Sequence, residues 1–195
     1  MNTRGCDIPA IRAFRSPSKV RLMLRWMFVT YPVVKEIRGS LLDIGCGDGV
    51  YLKAYRGSKI GIDINAHNVD FCQRMGLPVH LSSIEEFETD EKFDTILLAH
   101  VLEHLDKPQE TLWKAYSYLK LGGRLIVVLP CLLCYLMSFN DLGGHKQFIN
   151  EYYVDYVLGG QARCKKIKSS RFPPVPLPYV WQYQEKRLIY ERVVK

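Results

Sequence analysis

The chain has 195 residues, of which 48% are hydrophobic and 24% charged, a globular composition that excludes wholesale disorder. Its 14 Gly and 10 Pro follow no repeat, which excludes collagen-like and low-complexity classes, and a chain this long buries a full core without disulfide staples. The net charge of +7 is uneven: residues 1–40 carry 8 basic and 2 acidic side chains, residues 41–160 carry 10 and 16, and residues 161–195 carry 9 and 2.

In chain order, residues 1–16 lack periodicity and read as a loose arm. Ser16-Pro17 is a helix start, with Pro at the first helical position. Val20, Met23, Leu24, Met27 and Phe28 then recur at helical spacing. That stripe suits a core-facing helix, with a membrane surface or an active-site cover as the other readings. Residues 41–44 form a short apolar strand, 50–55 a helix, 59–64 a second strand and 66–75 a second helix. Residues 78–81 and 93–99 are further strands, and 108–119 is a helix with Pro108 in its first turn. Gly122-Gly123 turns into a fifth strand over 124–129. Apolar strands alternating with helices predict a parallel sheet covered on both faces. The tail departs from this pattern. It predicts a helix over 150–158, then strands over 164–169 and 187–194 around a Pro-rich loop, an antiparallel pair at the sheet edge. One globular domain is expected, with residues 1–39 as an arm and covering helix and 40–195 as the α/β body.

No window holds the ~18 apolar residues that span a bilayer. Arg4, Asp7, Arg12 and Arg15 interrupt the start, so no export signal is read. On that reading Cys6, Cys46, Cys72, Cys131, Cys134 and Cys164 are reduced thiols of a cytoplasmic protein. Cys131 and Cys134 form a lone C-x-x-C, a weak zinc signal, and read as core packing. The basic ends suit nucleic-acid phosphate, peripheral contact with anionic lipid, or an acidic partner; the plainer reading is a solvated surface.

The strongest local feature is Leu41-Leu42-Asp43-Ile44-Gly45-Cys46-Gly47-Asp48-Gly49, where a strand hands over to a helix. Glycines there permit a tight turn and close approach of backbone to ligand. Asp63 ends the next strand, where a carboxylate accepts both hydroxyls of an adenosine ribose. A dinucleotide fits poorly, since its G-x-G-x-x-G fingerprint finds Val50 at the third glycine position.

With these residues the chain resembles the class I S-adenosylmethionine-dependent methyltransferases, in their small-molecule and glycan-modifying branch. Leu42 to Gly49 looks like their first motif and Gly61-Ile62-Asp63-Ile64 like their second. Phe93-Asp94 through His100-Val101-Leu102-Glu103-His104-Leu105 looks like the fourth strand and its turn, and Leu119 to Leu125 like the approach to the fifth. The resemblance implies a doubly wound, Rossmann-like seven-stranded sheet, mostly parallel with an antiparallel last strand. It also implies S-adenosyl-L-methionine as cofactor. Asp43, Gly45, Cys46 and Gly47 would face its methionine part, Asp63 its ribose, and Ile64 its adenine. Ser83 and Ile84 would line the adenine edge, and His100 would lie near the sulfonium. Two departures stand out: Asp48 where Thr or Ser is usual, and Ser83 where Asp is common.

Methyl transfer asks mainly for alignment, plus a base if the nucleophile is a hydroxyl. His100, His104 and His145 are the candidate catalytic bases, each with a purely structural alternative. Residues 17–30 and 143–153 would together cover the acceptor, with His145 inside and Tyr152 and Tyr153 shaping the pocket or packing in the core. The favoured acceptor is a small molecule or sugar-like group with an O or N nucleophile. RNA is the alternative within the activity, and a non-catalytic cofactor-binding partner subunit lies outside it. His100-Val101-Leu102-Glu103-His104 also matches the zinc-peptidase pattern H-x-x-E-H, a remote reading because its first His ends a strand; no metal ligands are assigned.

Overall fold

A computed structural model describes residues 23–130, 146–159, 164–172 and 185–193. Seven strands build one sheet: β1 (Leu41–Ile44), β2 (Lys59–Asp63), β3 (Val79–Leu81), β4 (Phe93–Ala99), β5 (Leu119–Pro130), β6 (Cys164–Phe172) and β7 (Glu185–Arg192). Their order is β3-β2-β1-β4-β5-β7-β6. The first five are parallel, and β7 pairs antiparallel with both β5 and β6. The order reverses between β1 and β4, the point at which open α/β sheets bind ligands at the strands' carboxyl ends.

Period-two alternation along each strand divides the core into two layers. On one face Leu42, Ile44, Ile96, Leu98, Leu125, Val127 and Leu188 pack beneath α4 (Pro108–Ser117) and α5 (Glu151–Gly159). On the other, Leu41, Leu97, Ile126 and Ile189 meet α1 (Tyr31–Val34), α2 (Val50–Ala54) and α3 (Ala66–Arg74). The α3 start is capped by Asn65, whose Oδ1 accepts the His67 N–H at 2.9 Å.

Several expected boundaries move. The α4 helix stops at Ser117 and β5 begins at Leu119. Gly122-Gly123 therefore lies inside the strand rather than ahead of it. Phe93 pairs with Leu119 and Thr95 with Arg124, so residues 120–123 bulge opposite Asp94. Gly122 takes a left-handed φ of +72° there. The β2 strand ends at Asp63, and β6 and β7 run as 164–172 and 185–192.

The N-terminal stripe faces the opposite way from a core helix. Residues 23–34 are helical, with a π-helical turn over Trp26–Thr30 leading into α1. Thr30 and Val33 are the buried positions, while Met23, Leu24, Met27 and Phe28 are exposed. The stretch is fastened from its inner side. Ile37 joins the core layer under α2, the Phe28 carbonyl accepts from Arg187 Nη2 at 2.9 Å, and Glu36 bridges to Arg124 and Lys168. Tyr152, on α5, is likewise exposed, and Tyr153 packs against the core. Cys131 and Cys134 lie outside the described residues. Among the described residues, no helix is long and apolar enough to cross a membrane.

Asp94 joins the foot of β1 to the β5 bulge. Its Oδ2 accepts from the Ser40 N–H, the Ser40 hydroxyl and the Lys120 ammonium, each at 2.8 Å. Lys120 and the Ser40 donors hold its carboxyl down at about 2. A group depressed in the folded chain stabilises it above the unfolded value and loses that effect as pH falls through the folded value. Asp94→Ala is expected to cost about 1–2 kcal/mol near neutral pH, after allowance for solvent screening at this half-exposed site. Denaturation of both proteins should show the difference shrinking from about pH 4 towards pH 2.

Candidate functional site

The candidate site forms at the carboxyl edge between β1, β2 and β4. The turn after β1 is held by β2: the Gly45 and Cys46 N–H groups both donate to the Ile62 carbonyl, at 2.8 and 3.0 Å. The Gly47 N–H donates to Asp63 Oδ2 at 2.8 Å. These amides are therefore committed within the protein, and the turn offers shape more than free donors. Gly45 and Gly47 adopt φ of +68° and +54°, where an L side chain is strained. A Cβ on Gly45 would strike Val101 at 2.6 Å, whereas one on Gly47 would enter open space. Gly45 is thus a packing requirement, and Gly47 borders a cradle. The Cys46 side chain turns into the core, where burial raises its thiol pKa.

Two carboxylates flank that cradle in different states. Asp63 is braced: besides Gly47, its Oδ1 accepts the Asn65 N–H at 2.8 Å and the Asn68 amide at 3.3 Å. Asp43 is buried, and its Oδ2 has no hydrogen-bond partner. Burial lifts its carboxyl pKa well above the ordinary range, and the charges of Asp63 and Asp48 lift it further. A buried acceptor left unmatched is costly, and a cationic or hydrogen-bond-donating ligand group relieves it. Ile64, the first residue beyond β2, leaves 76% of its side-chain-bearing surface exposed. The edge thus sets an unmatched buried acceptor, a braced carboxylate and an exposed apolar side chain around one turn.

The remaining expected contacts fall differently. Ile84 is buried in the core cluster. Ser83 serves its own turn: its Oγ accepts the Glu86 N–H at 3.2 Å.

His100 follows β4 in a left-handed conformation, φ +57°. Its Nε2 lies 3.2 Å from Glu185 Oε1, and its Nδ1 lies 3.4 Å from Glu103 Oε1. Both carboxylates are buried, and Glu185 also meets Arg187 at 3.2 Å. Burial alone would push the imidazole down, but the two carboxylates outweigh it and raise its pKa to about 10. A protonated imidazole has no lone pair to take up a proton, so this environment suits a charge clamp better than a base. Sequence reasoning had no route to this arrangement, because Glu185 stands 85 positions away.

His104 is exposed at the end of a 3₁₀ turn, Leu102–His104. The H-x-x-E-H pattern thus crosses a strand end and a 3₁₀ turn, and does not present both histidines on one helical face, as the zinc-peptidase geometry requires. His145 lies outside the described residues. Next to it in sequence, the Lys146 N–H donates to the Glu103 carbonyl at 2.9 Å and Gln147 Nε2 to the Leu105 carbonyl at 2.6 Å. The 146–147 segment is therefore stitched to the turn that carries Glu103.

Comparison with known proteins agrees with this geometry. An uncharacterized protein of Methanocaldococcus jannaschii is 33% identical over 91 residues, covering 46% of this chain and 44% of its own. The ubiquinone biosynthesis O-methyltransferase of a Bradyrhizobium species is 29% identical over 96 residues, covering 45% of this chain and 38% of its own. The chain thus spans less than half the length of these curated relatives. Among solved structures, the N-methyltransferase NodS of Bradyrhizobium japonicum, in complex with S-adenosyl-L-homocysteine, superposes with a TM-score of 0.62. It is 17% identical, over 79% of this chain and 78% of its own, a likeness of fold. A family model for a methyltransferase domain matches residues 19–158. With most of the chain matched, and with the glycine turn and sheet order in place, the chain belongs to the class I S-adenosylmethionine-dependent methyltransferases.

Proposed function

We propose that the chain transfers a methyl group from S-adenosylmethionine to an O or N nucleophile of a small-molecule or sugar-like acceptor. The observation that carries this reading is the unpartnered, buried Asp43 Oδ2 beside the open cradle at Gly47. The cofactor supplies, when bound, a methyl group activated by a sulfonium leaving group. Asp43 answers the ammonium end, and the cradle at Gly47 admits the methionine part. Asp63 holds the ribose hydroxyls; its longest existing contact, to Asn68 at 3.3 Å, is the one most readily exchanged. Ile64 gives the adenine an apolar surface, and at Ser83-Ile84 the backbone rather than the Ile84 side chain borders it.

The choice of O or N acceptor draws support from the relatives, one named as an O-methyltransferase and another as an N-methyltransferase. His104 and His145 remain the proposed bases. We assign His100 instead to the clamp with Glu103 and Glu185, which holds the strand end against β7. Methyl-transfer assays against pools of small molecules, glycans and RNA test the proposal. Turnover on RNA alone would replace the acceptor class, and cofactor binding without turnover on any pool would favour a partner subunit.

Three outcomes are expected. Asp63→Ala should weaken cofactor binding by about tenfold or more, since losing a charge-assisted hydrogen bond costs roughly 1.5–3 kcal/mol. Calorimetric titration showing wild-type affinity, with an unchanged melting curve, would remove the ribose assignment. Gly47→Val should abolish cofactor binding while the chain still folds, at a strain cost of about 1–3 kcal/mol for a left-handed β-branched residue. Retained affinity would mean that the cradle belongs to something else.

His100 should titrate near 10 by NMR rather than near the ordinary imidazole value. Its folded pKa is raised, so its stabilising effect is complete below about 6.5 and lost as pH rises through about 10. The stability difference between the wild type and His100→Gln should narrow over that window. A midpoint near 6.5 would return His100 to the candidate bases.

A further inference from the structure

We propose that the outward stripe of the N-terminal helix is a docking surface for a bilayer containing anionic lipid. Met23, Leu24, Trp26, Met27 and Tyr31 are each at least 40% exposed within nine residues. Apolar surface this concentrated marks an interaction site, whereas scattered single residues do not. The stripe cannot roll inward. Thr30, Val33 and Ile37 already occupy the inner side, and Arg187 grips the Phe28 carbonyl.

Charge selects the occupant. Arg25 lies within the stripe's sequence and Lys35 beside Tyr31; both are exposed, and neither pairs with a carboxylate among the described residues. Two acids near this segment are already paired among the described residues, Glu36 with Arg124 and Lys168, and Glu185 with Arg187 and His100. The sequence adds Lys19 and Arg21 just upstream. A second copy of the chain would bring the same positive rim against itself. A nucleic acid would match the charge but leave the apolar stripe wet. An anionic bilayer matches both, with basic side chains at the headgroups and apolar ones at the acyl boundary. The Trp26 and Tyr31 rings touch at a tilt of 32° with centroids 5.2 Å apart, and Lys35 Nζ lies 5.9 Å from the Tyr31 centroid. Such aromatic and basic neighbours suit the interfacial zone.

Flotation of the full chain with vesicles tests the assignment. Binding is expected to vesicles of phosphatidylcholine mixed with phosphatidylglycerol, to be weaker on phosphatidylcholine alone, and to fall with added salt. Leu24→Glu combined with Met27→Glu should reduce partitioning about tenfold or more, with an unchanged melting curve because both side chains face outward. Leu24→Ser with Met27→Ser should reduce it too, which separates lost insertion from added repulsion. No binding to either vesicle overturns the proposal, as does binding that both variants leave intact. A concentration-dependent dimer abolished by the same variants would assign the face to a second copy instead.

Discussion

The Asp63 carboxylate joins two crossovers of the sheet, and the candidate site depends on that joint. It stands at the end of β2 and receives the amide of Gly47 from the turn after β1. Two more amides of that turn, from Gly45 and Cys46, are held by the Ile62 carbonyl. The parallel register that sets Asp43 opposite Gly61 and Ile44 opposite Ile62 brings these groups within reach. With its amides spent on β2, the turn keeps its left-handed glycines without a ligand. Such preorganisation lowers the cost of binding, because the backbone is already ordered.

Charge at the carboxyl edge is arranged in two contrasting groups. Asp43, Asp48 and Asp63 gather by the glycine turn, and no cation is paired with them among the described residues. Across the edge, His100 and Arg187 are interleaved with Glu103 and Glu185, so opposite charges alternate. The first group is left in electrostatic debt that a cationic ligand relieves. The second alternates in sign, with both oxygens of the buried Glu103 still lacking a hydrogen-bond partner, and its work is to hold β4, β7 and the helical segment at Phe28 together. A buried pair or network of this kind contributes little net stability, but breaking one member leaves its partner uncompensated. The strained φ of His100 persists within this network.

Much of this was legible in the sequence, for identifiable reasons. Strands buried on both faces read as apolar runs such as Ile96-Leu97-Leu98, and the change of pattern after residue 160 announced the antiparallel pair. The glycine turn and Asp63 were readable because both lie within one short β-α-β unit. The misread β5 start has a local cause: Gly122-Gly123 has turn chemistry, and only the pairing of Leu119 with Phe93 and of Arg124 with Thr95 makes it a bulge within the strand. The surroundings of His100 were illegible for the opposite reason: Glu185 reaches it from β7, and sequence spacing carries no information about a contact made by sheet closure.

The N-terminal helix shows a third kind of limit. Helical periodicity identifies which residues share a face, and Met23, Leu24, Met27 and Phe28 do fall together. It does not say whether that face meets the core or the outside. Here the decision comes from residues just after the stripe: Thr30 and Val33 are the buried positions, and the Arg187 bond to the Phe28 carbonyl fixes the rotation. Arg187 also meets Glu185, which meets His100. The helix that carries the exposed stripe is therefore tied through three side chains to the end of β4, at the switch point of the sheet.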